Sequence, residues 1–450
     1  MMFDSAAIAA ATGGTVHAAG PAGPVLTDTR KLVAGAWYLA IAGERFDGHA
    51  FVRQAAEAGV AGVIVHKHPA TLDLPTGAQV GVVQVADTTR ALQDLGNAAR
   101  RRFAGPVVGL SGSSGKTTTR ALIALAIAPL GRVHQTVGNL NNHFGVPMTL
   151  LACPHHADAM VVEMGTSAPG EIQRLAEIAE PDVRLLVNVG PAHLEELGGL
   201  EGVAHEKGAL FRTARPDDVV VVNNDDPFLR DMDVPAGARV VRWGQGGEIT
   251  LDEAELDPET LATRVVFGTP VGPLSATLPV PGRHLAHNAA GALAVAWSLG
   301  IDLAEAVACM EGYEPVGMRL RAEPLPSGAQ ALNDAYNANP ASMAASLRLL
   351  ASLPGRRIAV MGDMLELGPE EARWHAEAVA LALELGLDRV VLVGPRMAAA
   401  AVAGTEAYGS PEEAVAGMAH TLQPGDRVLF KGSRGARVER VLEGLREEQS

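Results

Sequence analysis

The sequence predicts an α/β protein built on parallel sheets, and three observations predict it. Short β-branched runs alternate with amphipathic helical segments along most of the chain. Several of the runs are apolar throughout, the pattern of strands covered on both faces. One of them, Pro106-Val107-Val108-Gly109-Leu110, leads directly into the turn Ser111-Gly112-Ser113-Ser114-Gly115-Lys116-Thr117 and a helix.

Taken in order, residues 59–65 and 81–85 read as strands, separated by a turn-rich link and followed by a helix over 88–102. No complete catalytic constellation occurs there, so this part reads as a recognition domain. The next part opens with the strand ending at Leu110, continues with a helix over 116–128, and carries strands at 159–163, 183–187 and 219–222. Residues 240–280 are more irregular and strand-rich, an insertion or edge region. Helices over 288–299 and 302–310 close the domain. The last third repeats one unit three times: an apolar strand ends at glycine in 358–362, 390–394 and 428–432, with helices at 370–385, 410–420 and 434–446. Strand ends in open α/β sheets are common ligand sites. The expected domains are 1–104, 105–312 and 313–450.

The 450 residues carry 36 Lys and Arg against 51 Asp and Glu, a net charge of -15. A long-range field of that sign does not attract nucleic acid or an anionic membrane. The two cysteines, Cys153 and Cys309, are no disulfide framework and read as reduced thiols. The stretch MMFDSAAIAAATGGTV lacks a basic leader with an apolar run, and the most apolar segments are too short or broken to span a bilayer. The expectation is a cytoplasmic protein with no nucleic-acid partner and no integral membrane segment.

The strand–loop–helix at 106–128 has the context of a phosphate cradle. Backbone amides of a glycine-rich loop converge on anionic oxygens, and the following helix adds its positive end. Lys116 reaches a β- or γ-phosphate, and Thr117 offers a hydroxyl to Mg²⁺. The general pattern needs a glycine five positions before Gly115, where this chain has Leu110. What remains is the shorter Gly112-x-x-Gly115-Lys116-Thr117 form. Glu163, at the end of a strand, and His193, after another, are candidate metal ligands around a triphosphate, with a strand-end cap and a loop histidine as the plainer readings. Lys207 alone reads as a surface lysine.

Several segments in shared order resemble the Mur ligases of peptidoglycan synthesis. They are Thr27-Asp28-Thr29-Arg30, the stretch 42–51, Thr136 to Pro147 with its asparagines, VEMG at 162–165, NVGPAHLE at 188–195, Tyr336 to Pro340, Gly362 to Gly368 and Lys431-Gly432-Ser433-Arg434. The asparagine-rich loop, YNANP and GDMLELG favour the dipeptide-adding branch over the earlier Mur ligases and folylpolyglutamate synthetase. The resemblance implies a three-domain architecture, with a central P-loop parallel-sheet domain and a C-terminal Rossmann-like domain. It implies that ATP activates a UDP-N-acetylmuramoyl tripeptide, which D-alanyl-D-alanine then attacks. A transient cell-wall synthesis complex is a further implied partner.

Residue by residue, it implies substrate contacts at Thr29, Arg30, Gly43, Asp47, Gly48, His49, Asn139, Asn141 and Asn142. Arg30 would pair with a phosphate or carboxylate, and Gly43 and Gly48 would let the backbone approach the ligand. The nucleotide would be held by Gly112, Ser113, Ser114, Gly115, Lys116, Thr117, Thr118, Asn288, Arg319 and Asp334. Asn288 reads equally well as a helix N-cap. Metal ligands would be Thr117, Glu163, His193 and Lys207, the last as a CO₂-derived carbamate. Lys116, Glu163, His193, Lys207 and Arg319 would carry the chemistry. The chain departs from the family pattern at Ser111, Arg120, Glu206, Asn333 and Ala335. Two rival readings stand beside this one: another Mur ligase adding a single amino acid, and a non-catalytic nucleotide-responsive scaffold.

Overall fold

Residues 1–43 and 46–448 are described by a computed structural model. Two compact units divide the chain. The first comprises Met1–Leu110, Leu130–Thr166 and Gly170–Arg184, and the second Ser111–Pro129, Ser167–Pro169 and Leu185–Ser450.

In the first unit, β1 (Thr15–Ala18), β2 (Val25–Leu26), β3 (Trp37–Leu39), β4 (Gly62–Val65) and β5 (Gly81–Gln84) form a sheet in the order β1-β5-β4-β3-β2. Only the β1–β5 pairing is antiparallel. The apolar runs follow from burial on both faces. Val63, Ile64 and Val65 are all buried, and Tyr38, Val52 and Val60 pack with Val63 and Val65. Trp37 lies against Gly62 of the neighbouring strand, where any Cβ would overlap its ring. The same unit holds β6 (Val107–Ser111, through Leu110), β7 (Val133–Gln135) and β8 (Ala159–Glu163), with β8 paired in parallel to both. The helix Thr88–Arg102 has Asp87 as its N-cap. Its Arg100 donates to the carbonyls of Ala179 and Glu180, at the end of another helix, and to both carboxylate oxygens of Asp182 at 2.8 Å. A cation there offsets unsatisfied C-terminal carbonyls.

β9 (Val183–Leu186) precedes the second unit's β10 (Val219–Asn223) and β11 (Arg239–Trp243), which pair in parallel. The region expected to be irregular and strand-rich is strand-rich, but as an ordered antiparallel sheet, β12 (Thr250–Leu256), β13 (Thr263–Gly268) and β14 (Leu274–Leu278). The alanine-rich helix runs over Arg283–Ser298, five residues earlier than the sequence predicts. Its Gly291 faces the Trp243 indole, which a methyl there would approach to 3.0 Å.

The remainder forms β15 (Arg321–Pro324), β16 (Gln330–Asp334), β17 (Arg357–Gly362), β18 (Arg389–Val393), β19 (Thr405–Tyr408) and β20 (Arg427–Lys431), ordered β15-β16-β20-β17-β18-β19. Only β15 pairs antiparallel. Ile358, Val360, Val391, Val428 and Phe430 fill its core. β20 lies between β16 and β17, so the three strands end side by side. The helix expected from 434 is a 3-10 turn, Arg434–Ala436, then Glu439–Glu448.

The Trp37–Gly62 contact makes a direct test. Gly62→Ala should lower the unfolding free energy by about 1–3 kcal/mol, the usual cost of overpacking, measured by urea denaturation. An unchanged midpoint would show that the Trp37 ring is free to move aside.

Candidate active site

The glycine-rich loop is built as its strand context predicts. Gly115, at φ 75°, caps the helix Lys116–Ala126 from the left-handed region. A Cβ there would be strained by that φ and would lie 2.7 Å from Asn288 Nδ2. Asn288 is therefore beneath the loop in mid-helix. The cap of its helix is Gly282, which overturns the N-cap alternative for Asn288. Arg283 to His287, ahead of the alanine-rich stretch, belong to the helix and hide its true start from a sequence reading.

A residue that the sequence reading did not single out braces this loop. Asn188 Oδ1 accepts from the backbone N–H groups of Ser113 at 3.1 Å and Ser114 at 2.9 Å. Ser113 Oγ donates to the Gly190 carbonyl and accepts from the Gly190 N–H, both at 2.9 Å. Asp226 in turn accepts from Val189 N at 2.7 Å. The two serines thus meet protein partners on the side facing residues 188–190. Lys116 Nζ donates to the Gly112 carbonyl at 2.8 Å. Thr117 and Thr118 are buried at the head of the helix, and the Thr118 hydroxyl interacts with Tyr313.

Lys207 is 1% exposed within the helix Leu200–Arg212. Burial first, and then the positive charge of Lys116, push its pKa well below the ordinary lysine value, while Glu206 opposes the shift. A neutral amine is the form that adds CO₂, so the chemistry of this residue fits a carbamate. His193 sits at φ 53° with Nδ1 2.7 Å from Glu366 Oε2, an ion-pair contact without the alignment of a hydrogen bond. Glu366 is also left-handed, at φ 64°. Contact with His193 holds its carboxyl below the usual range.

In the first unit, Glu163 is buried at the end of β8. It accepts from Asn141 Nδ2 at 2.9 Å, and its backbone N–H donates to Thr136 Oγ1 at 3.0 Å. Among the described residues, no group of three or more His, Cys, Asp or Glu side chains is arranged to hold a metal. A site for Mg²⁺ needs fewer: one or two carboxylates, with phosphate and water completing its oxygen shell. The buried carboxylate of Glu163 is an oxygen donor of that type.

The candidate substrate residues divide by what engages them. Arg30 is 86% exposed and forms a bidentate pair with Asp28, both contacts at 2.9 Å, which lowers the Asp28 carboxyl to about 2. Thr29 opens the same 3-10 turn. His49 is buried with both ring nitrogens occupied: Nε2 accepts from His66 N at 3.1 Å, which leaves Nδ1 to donate to Asp47 at 2.6 Å. Lys67 holds the other oxygen of Asp47 at 2.6 Å. Gly48 has a packing reason for its size, since a Cβ would meet the Ile41 backbone at 2.8 Å. Gly43 faces open space. Glu44 and Arg45, within the matched 43–49 loop, lie outside the described residues. Asn142 Oδ1 caps Phe144 and Gly145, while Asn139 is exposed.

On the C-terminal sheet, the Arg319 guanidinium lies 3.8 Å above the Tyr336 ring. Asp334 is buried, with Oδ2 accepting from Lys431 Nζ at 2.6 Å and Ser346 Oγ at 2.7 Å. Lys431 lies in a segment that carries the family resemblance, whereas nothing in the sequence pattern marked Ser346.

The depressed pKa of Lys207 sets a pH dependence. Its folded pKa is depressed, so the unfolded chain binds more protons between that value and the ordinary lysine range, and stability rises with pH across this window. In carbonate-free buffer, Lys207→Met should remove that part of the rise in urea-unfolding free energy between pH 7 and pH 9.5. Parallel pH profiles for the two proteins would contradict a neutral Lys207.

Three family models cover most of the chain: "Mur ligase family, catalytic domain" at residues 24–100, "Mur ligase middle domain" at 110–296, and "Mur ligase, glutamate ligase domain" at 318–434. The chain is 35% identical to the UDP-N-acetylmuramoyl-tripeptide--D-alanyl-D-alanine ligase of Bacillus subtilis, over 94% of this chain and 92% of that one. It is also 35% identical to the ligase of that name from Escherichia coli, over 94% and 93%. Among solved structures, MurF from Acinetobacter baumannii matches with a TM-score of 0.92 at 33% identity, covering 99% of both chains. MurF from Thermotoga maritima in complex with ADP matches at 0.84 and 29% identity, covering 95% and 98%. With the three-domain architecture of these structures and this extent of identity, the chain belongs to the Mur ligase family.

Proposed function

We propose that this chain joins D-alanyl-D-alanine to a UDP-N-acetylmuramoyl tripeptide, with ATP as the activating substrate, in cytoplasmic peptidoglycan precursor synthesis. The observation that carries this reading is 35% identity over nearly the whole chain to two ligases named for that reaction. No described helix is long and apolar enough to cross a membrane. Attachment to a transient cell-wall synthesis complex is part of the same proposal. The proposed domain limits are 1–104 for the UDP moiety, 105–312 for ATP and 313–450 for closing on ATP and the dipeptide. The family models fall within these three spans.

In this reading, the tripeptide's terminal carboxylate takes the γ-phosphoryl group of ATP, which converts a poor leaving group into phosphate. The amine of D-alanyl-D-alanine attacks the acyl phosphate, and the tetrahedral intermediate collapses to the amide with release of phosphate. Catalysis of such a transfer is positioning plus charge stabilisation. Residues Gly112 to Thr118 hold the triphosphate, with the Lys116 ammonium leaving the Gly112 carbonyl for a phosphate oxygen. Asn288, beneath Gly115, serves the adenine end. Asp334 and Arg319 contact the nucleotide from the C-terminal sheet, and Arg319 adds positive charge. Thr117, Glu163, His193 and the carbamate of Lys207 are the proposed Mg²⁺ ligands, and the metal when bound neutralises phosphate charge. Asn141 fixes the Glu163 carboxylate, and contact of Nδ1 with Glu366 leaves His193 Nε2 for a ligand.

For the muramoyl substrate, Arg30 releases Asp28 to meet a phosphate or carboxylate, beside half-buried Thr29 and exposed Gly43 and Asn139. Buried Gly48 and His49 support this surface from within, while Asp47 and Asn142 lie on it with internal hydrogen bonds of their own.

Mass spectrometry of the product from a defined UDP-muramoyl tripeptide, ATP, Mg²⁺ and D-alanyl-D-alanine should show the dipeptide adduct. Ligation of a single amino acid in preference to the dipeptide would overturn the assignment, and nucleotide binding with no product would favour a scaffold. Lys116→Met should lower kcat/KM by about 10³-fold or more, because it removes a charge aimed at the transferred group.

A further inference from the structure

We infer that Lys431 is a positioning residue for the nucleotide side of the site, acting through the 335–339 loop on Arg319. The inference rests on the proposed role of Arg319 at the nucleotide.

Lys431 ends β20 and stands opposite Asp334, the last residue of β16, in parallel register. Its side chain is 3% exposed. Nζ donates to Asp334 Oδ2 at 2.6 Å and to the Asn337 carbonyl at 3.2 Å. Two residues on, Ser433 Oγ donates to the Ala338 carbonyl at 3.1 Å and accepts from Leu365 N at 3.0 Å. Consecutive carbonyls of one loop are therefore held from the end of one strand. Tyr336 lies between the two points that Lys431 grips. Its backbone N–H donates to the Met318 carbonyl at 3.2 Å, and its ring carries the Arg319 guanidinium at 3.8 Å. The path from Lys431 to Arg319 is thus a continuous series of hydrogen bonds, one residue of backbone and a ring stack.

Packing alone does not call for a lysine here. A methionine fills similar volume without the desolvation cost of a buried ammonium. What methionine lacks is the set of donors that join a carboxylate to a main-chain carbonyl. Its depth in the protein leaves Lys431 to work through the loop rather than by touching ATP.

The test is a double-mutant cycle on the full-length enzyme. Lys431→Met should raise KM for ATP by about tenfold with a smaller change in kcat, and by less than about twofold when made in Arg319→Ala, because coupled residues are non-additive. Should Lys431→Met alone fail to fold, Lys431→Gln, whose shorter side chain keeps a donor for Asp334 without spanning to the Asn337 carbonyl, carries the same cycle. Its thermal midpoint separates folding from positioning: a near-native midpoint with raised KM supports the proposal. Additive effects of the Lys431 and Arg319 changes, or a folded variant with unchanged KM for ATP, overturn it. Wild-type kinetics for Arg319→Ala alone would instead remove the nucleotide role of Arg319, and the proposal with it.

Discussion

The side-chain amide of Asn188 holds two backbone N–H groups of the phosphate loop, and much of the nucleotide site depends on that constraint. A loop of glycines and serines has many conformations and loses much entropy when fixed. Here Asn188, the Gly190 backbone and Ser113 Oγ select one of them. With the loop fixed, Gly115 enters the following helix from the left-handed region, and Asn288 lies close beneath it. The preorganised backbone sets Lys116 at the head of its helix, with Nζ on the Gly112 carbonyl.

Buried charge is handled in three ways. Lys431 meets a carboxylate and a carbonyl. Lys207 is pushed toward its neutral form by burial and by Lys116. Glu163 accepts a hydrogen bond from Asn141. A paired lysine is inert, a neutral amine is a nucleophile, and a buried carboxylate on an amide donor is held in one orientation. The same physics of desolvation thus separates residues that position from residues equipped to react.

Strands and helices were legible in the sequence where local pattern decides them. The 159–163 strand and the 88–102 helix stand where the sequence places them, the strand on an apolar run and the helix behind an Asp87 N-cap. The alanine-rich helix was misread at its start because Gly282, at φ 88°, gives a weaker signal than the alanine run beyond it. Glycine spacing also exposed the phosphate loop. Its brace was hidden, because Asn188 lies about 75 residues away and an asparagine before a valine carries no local sign of what it will bind. Likewise nothing near His49 reveals that His66 and Asp47 occupy both of its nitrogens. Resemblance to a family marks such positions together without separating those that touch a ligand from those that support the ones that do.

Gly291 shows a limit on how such a sequence can drift. Its helix is rich in alanine, and most neighbouring positions there already carry a methyl. Gly291 faces the Trp243 indole too closely to accept one without displacement. Compositional pressure toward alanine would therefore stop at this residue unless the tryptophan changed with it. The two positions form a linked pair, and exchange at one opens or closes the choices at the other.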